Sequence, residues 1–120
     1  MDFTPYRITK TEVIETGTKA RGQPVMRQRM TFSRKDKKSM DADTTQDIYS
    51  HLEDQFKEDG MMASGGYVKV LPVGTSWKTF NYLDFNSNGL EEYFTGLVKD
   101  EEPYTRVNKI QFDVFFHKLR

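Results

Sequence analysis

Eight cations crowd one stretch of this sequence: Lys19, Arg21, Arg27, Arg29, Arg34, Lys35, Lys37 and Lys38. Lysine and arginine neutralise phosphates and release condensed counterions, a gain that needs no readout of base identity. Arg27 and Arg29 stand two residues apart, so within a strand they project from one face. Tyr6, Tyr67, Trp77 and Phe115 are rings on which unpaired bases could stack. The same pattern also suits a solvated hairpin whose charges guard an edge strand against mispairing.

The overall charge hides this cluster, because 18 basic and 18 acidic residues cancel. Residues 1–40 carry ten Lys/Arg and four Asp/Glu, whereas residues 41–60 carry one Lys and seven Asp/Glu. The remaining sixty residues hold seven of each. Such asymmetry bears on partners and association rather than on fold. The acidic block offers Asp47, Glu53, Asp54 and Glu58 as a protein interface. Basic and acidic blocks on one small domain can meet between copies, head to tail, and build rings, tubes or shells. The plainer reading is that the two blocks neutralise each other inside one molecule.

Other chemistries find less support. The absence of cysteine excludes disulfides, thiol catalysis and cysteine-bound zinc or iron–sulfur sites. His51 and His117 are far apart, and no carboxylates stand at metal-ligand spacing around them. Asp84-Phe85-Asn86-Ser87-Asn88-Gly89 resembles the first half of an EF-hand calcium loop, with Glu92 at the ninth position. The twelfth position, where that family has its bidentate glutamate, is Thr95, so a polar turn is the better reading. Glycines 60, 65 and 66 lack the spacing of a phosphate cradle, and no serine stands in a nucleophile elbow. The expectation is a non-enzymatic domain with no metal and no cofactor.

The elements that must position these residues are legible in outline. Residues 5–33 suggest a long basic hairpin. Its first strand covers 6–15, a Gly17–Pro24 loop forms the tip, and residues 25–33 alternate cleanly with Met26, Met30 and Phe32 on one face. Asp43 is the expected N-cap of an acidic helix over 43–59, with Gln46 completing a capping box and Gly60 as its stop. Ile48, Tyr49, Leu52 and Phe56 form the helix stripe that would dock on a sheet. Met61–Gly66 reads as a connector. A second ββα unit over 67–99 follows, with strands at 67–73 and 76–83 and a helix opened by Asn88. A strand over 104–119 ends the pattern.

The order ββα-ββα-β predicts one α+β domain over 1–120: about five mostly antiparallel strands with two helices packed on one face. A chain of 120 residues, of which 27 are Leu, Ile, Val or Phe, lies just above the apolar content at which disorder is expected. Its 16 aromatics, 13% of the chain, make a small core feasible. No apolar run approaches a membrane span, and the first residues lack the pattern of a signal peptide. The expectation is therefore a cytoplasmic protein, or one within a virus particle, whose partners are nucleic acid, copies of itself or another protein. The leading expectation is polyanion binding through the basic hairpin and linker. The alternative is a self-assembling structural or adaptor protein.

Overall fold

The computed structural model describes residues 1–86 and 106–119. Six strands, β1 (Tyr6–Lys10), β2 (Ile14–Ala20), β3 (Gln23–Arg34), β4 (Met61–Pro72), β5 (Lys78–Asn81) and β6 (Val107–Lys118), form one antiparallel sheet. The spatial order is β1-β3-β6-β4-β5, and β2 also pairs with β3. One helix, α1 (Ala42–Glu58), lies among the described residues, and a 3-10 turn (Tyr82–Asp84) follows β5. None of the described helices is long and apolar enough to cross a membrane.

The expected mostly antiparallel sheet with a docked helix is present, but the element order differs. The single strand expected over 6–15 is two strands with a break at 11–13. Lys10 pairs with Met30 and Ile14 with Arg27, so three residues on one side oppose two on the other. That extra residue is a bulge, and it bends one long edge into β1 and β2. The tip is shorter than the expected Gly17–Pro24 loop. Arg21 and Gly22 both have positive φ, 51° and 78°, the signature of a two-residue turn whose twist matches its strands. Gly17, with φ of 86°, marks a register shift within β2 instead of the turn.

The helix N-cap lies two residues before the expected one. Met40 is buried and exchanges hydrogen bonds of 2.7 and 2.8 Å with Val107, which fixes where the chain enters α1. The Asp41 side chain then accepts from the Thr44 N–H at 2.8 Å, so Asp41 is the cap. Asp43 falls in the first turn, where its charge faces the positive end of the helix dipole. Gly60 ends the helix as expected, with φ of 68°. Residues 61–66 are no connector: they form the first half of β4, whose bulge at Ala63–Gly65 accommodates the local irregularity. The turn at Gly74 and the terminal position of Pro72 agree with expectation, while β5 is shorter than the expected 76–83. The second expected helix, from Asn88 through Val98, lies outside the described residues.

The core forms between α1 and the sheet. Ile48 and Leu52 meet Met30, Phe32, Val68, Val70, Ile110, Phe112 and Val114, all nearly excluded from water. Tyr49, Tyr82 and Phe85 extend the cluster through tilted ring contacts of 4.9 and 5.4 Å. Each buried aliphatic or aromatic side chain contributes roughly 1.5–3 kcal/mol, so this one face supplies most of the driving force for folding.

Candidate functional site

Strand register sorts the side chains into two faces. Towards α1 run the rows Ile8, Phe32, Ile110, Val70 and Lys10, Met30, Phe112, Val68. The opposite face shows Thr9, Thr31, Gln111, Lys69 and Thr79 in one row. Beside it lie Arg29, Asp113, Tyr67 and Asn81, then Ile14, Arg27, Phe115 and Gly65. Arg7 and Lys109 share this parity. Among the described residues, these strands therefore set five cations (Arg7, Arg27, Arg29, Lys69 and Lys109) against one carboxylate, Asp113. No described element packs over them.

Asp113 organises the centre of this open face. Its carboxylate accepts from Arg27 Nε at 2.7 Å and Arg27 Nη2 at 2.6 Å, and from Arg29 Nη2 at 3.3 Å. The hydrogen-bonded Arg27 guanidinium holds the Asp113 carboxyl below the usual carboxylate range, against the opposing effect of burial. Arginine has five N–H donors; Arg27 commits two of them to Asp113 and Arg29 one. The side chains stay 39% and 46% exposed, so the carboxylate orients both arginines without consuming them. Arg27 also lies 5.8 Å from the centroid of the Phe115 ring, within cation–π range.

The bulge between β1 and β2 buttresses this pair. Thr11 donates its N–H to the Arg29 carbonyl at 3.0 Å, and its hydroxyl accepts from the Arg29 N–H at 3.0 Å. The side chain thus completes the ladder where the backbone departs from it. The departure leaves a hollow of about 350 Å³ lined by Thr11, Glu12, Ile14, Arg27, Gln28 and Arg29.

The eight cations singled out in the sequence do not form one cluster. Lys19 and Arg21 are exposed at the hairpin tip, and Arg27 and Arg29 lie at mid-sheet. Arg34, Lys35, Lys37 and Lys38 sit at the far end of β3, roughly 40 Å from the tip at 3.3 Å per residue. Arg34 forks onto Asp36 at 2.7–3.2 Å. With the Lys38 N–H, it pushes the Asp36 carboxyl down to about 2. Arg7, Lys69 and Lys109 were missed, because only strand pairing brings them to the face of Arg27 and Arg29. Of the four rings, Tyr67 is 51% exposed and Trp77 45% exposed, while Phe115 is half-buried and Tyr6 is a core residue. Burial of Tyr6 under Phe3 and α1's side of the sheet removes it as a platform.

On α1, Asp47, Asp54 and Glu58 are exposed, whereas Glu53 accepts a 2.5 Å hydrogen bond from Tyr82 Oη. Burial and that bond push the Tyr82 hydroxyl's pKa up, tying Glu53 into the fold. Of the calcium-loop candidates, Asp84 and Asn86 lie at the end of the 3-10 turn, where Asn86 Nδ2 donates to the Asp84 carbonyl at 3.1 Å. Asn88 and Glu92 fall outside the described residues. Among the described residues no three His, Asp or Glu side chains converge as a metal requires. The His51 ring lies 4.6 Å from that of Phe3 at a tilt of 58°, and His117 is buried with neither ring nitrogen hydrogen-bonded among the described residues.

Comparison with known proteins brings no match: no family model, no curated protein and no solved structure is similar to this chain.

Proposed function

We propose that this chain is a small, non-enzymatic binding domain for a polyanion, with nucleic acid the favoured class. The observation that carries the proposal is the open sheet face, where the described strands set five cations against Asp113, with Glu12 of the bulge beside them. Clustered positive charge over an uncovered surface is the footprint of phosphate binding. Arg27 and Arg29 form the centre of the contact, and Lys69 and Lys109 extend it across the sheet. Lys19 and Arg21 at the tip, and Lys35, Lys37 and Lys38 at the other end, lengthen the positive track. Such a contact loses affinity steeply between roughly 50 and 200 mM salt. The double variant Arg27→Glu, Arg29→Glu should abolish binding to a labelled oligonucleotide, measured by fluorescence anisotropy. Retained affinity, or no dependence on salt, would refute the proposal.

A second reading, self-assembly, is favoured by the β2 edge. Among the described residues β2 pairs only with β3, and Val13 and Ile14 beside its free edge are about half exposed, 48% and 53%. Read against itself in the opposite direction about Gly17, Ile14–Ala20 sets Glu15 against Lys19 and Thr16 against Thr18. Two copies meeting along this edge would be charge-matched through a two-fold axis.

A further inference from the structure

The open face carries more than positive charge, and the extra features bear on which polyanion it takes. Tyr67 projects from the middle of the sheet with Asp113 and Asn81 as its cross-strand neighbours. Both neighbours are polar, and the ring is 51% exposed. In the adjacent row, two strands away on β3, the Arg27 guanidinium lies over the Phe115 ring, 5.8 Å from its centroid, and is hydrogen-bonded by Asp113. A guanidinium fixed in this way is a second flat surface on which a base can lie. Arg29 stands in the Tyr67 row on the far side of Asp113, with one N–H on Asp113 and its side chain 46% exposed, beside the hollow at Thr11 and Glu12.

We propose that this face is a platform for single-stranded nucleic acid: Tyr67 takes one base, the Arg27–Phe115 stack takes a neighbouring base, and Arg29 takes the intervening phosphate. The inference rests on the polyanion reading above and narrows it. Tyr67 and Phe115 are diagonal neighbours on the adjacent strands β4 and β6, about 7–8 Å apart, and Arg27 reaches over Phe115 from β3, one strand further on. Stacked nucleotides rise only about 3.4 Å, so the two seats suit an extended, unstacked strand. A duplex hides its base faces and can offer this surface only phosphates. Free polyphosphate offers no rings at all. The rings add nothing for either of those ligands, whereas each base stacked on an aromatic contributes substantially to single-strand affinity. Asp113 has a place in this scheme as a positioning residue. It subtracts one charge from the face but holds the Arg27 guanidinium over the Phe115 ring through two hydrogen bonds.

The test uses the full chain and four probes in anisotropy or competition: oligo(dT) and oligo(rU) of twelve nucleotides, a twelve-base-pair duplex, and inorganic polyphosphate. The single strands are expected to bind at least tenfold more tightly than the duplex or polyphosphate. Tyr67→Ala should weaken single-strand binding by roughly 5- to 100-fold while leaving polyphosphate competition unchanged. Tyr67→Phe, which keeps the stacking surface, should bind as the parent does. Thermal denaturation of each variant establishes that it is folded, and Tyr67 lies outside the buried core. If duplex and polyphosphate bind as tightly as single strands, or Tyr67→Ala changes nothing, the platform falls and the broader polyanion reading stands. If no probe binds, both fall. Equal affinity for the two single strands assigns the site to base stacking without 2′-hydroxyl recognition, and a preference for either one keeps the platform and names its sugar.

Discussion

Asp113 is the residue on which the open face depends, and its linkage to pH follows from its partners. Its pKa is depressed in the folded chain, so the folded state binds its proton less readily than the unfolded state does. The stability it contributes is fully present above the ordinary carboxylate pKa of about 3.9 and is lost as pH falls through the depressed value. Asp36, pushed down to about 2, acts in the same direction. Arginine remains charged throughout, so titration removes only the carboxylate side of each pair. Melting temperature followed from pH 7 to pH 2 should fall on the acid side. In Asp113→Asn that acid limb should be shallower, because one titrating contribution is gone. The same variant should start less stable at neutral pH by about 1–3 kcal/mol, since the two arginines lose the carboxylate charge and one of its two accepting oxygens. An unaltered acid limb would mean that Asp113 does not hold the pair in solution.

Elements explain why Asp113 can stand where it does. β4 passes close to β6 at Gly66, whose φ is 121°, and a Cβ there would overlap the Asp113 carbonyl oxygen. Gly66→Ala should therefore destabilise the chain by at least the roughly 1–3 kcal/mol of an enforced backbone conformation, with the overlap adding to it. Chemical denaturation measures this; a change under about 0.5 kcal/mol would show that the strands can separate without penalty. The sequence announced the glycines but not their purpose. Gly65 and Gly66 lower strand propensity, so the first half of β4 looked like a connector until its pairing with β6 revealed a bulge. Residues governed by local periodicity were readable: the Ile48, Leu52 and Phe56 stripe and the Met26–Phe32 alternation both lie where expected. Asp113 was not readable as the partner of Arg27, because 86 residues separate them and only tertiary pairing brings them together. Lys69 and Lys109 were overlooked for the same reason. The N-cap moved from Asp43 to Asp41 because a bridge to Val107, also distant in sequence, sets the helix entry.

On the scale of the molecule, the described strands carry Arg7, Arg27, Arg29, Lys69 and Lys109 on the open side of the sheet. The exposed acidic residues Asp47, Asp54 and Glu58 are carried by the helix on the other side, where Lys10, Lys57, Lys78 and Lys118 partly offset them. For the polyanion proposed above, this distribution would favour binding at the open side. The same distribution and the β2 edge bear on self-assembly. Light scattering coupled to size exclusion should show a concentration-dependent rise above the 14.1 kDa of one chain if copies pair along β2. Glu15→Lys should abolish that rise, and adding Lys19→Glu should restore it by exchanging the charges across the two-fold axis. Failure of the double variant to recover would exclude this edge as the contact.

β6 lies between β3 and β4 in space but follows both in chain order. While the chain is being synthesised, the β1–β3 unit and the β4–β5 hairpin leave the ribosome as separate pieces, each with an apolar face and an unmet edge beside it. Neither can close its core until Val107–Lys118 slides between them. Folding of this domain is thus a final, non-local step rather than a stepwise accretion, and such late closure is slow and exposes edges to mispairing. The interval between translating β4 and releasing β6 is when a nascent chain would most need a chaperone, or a neighbouring copy, at its open edges.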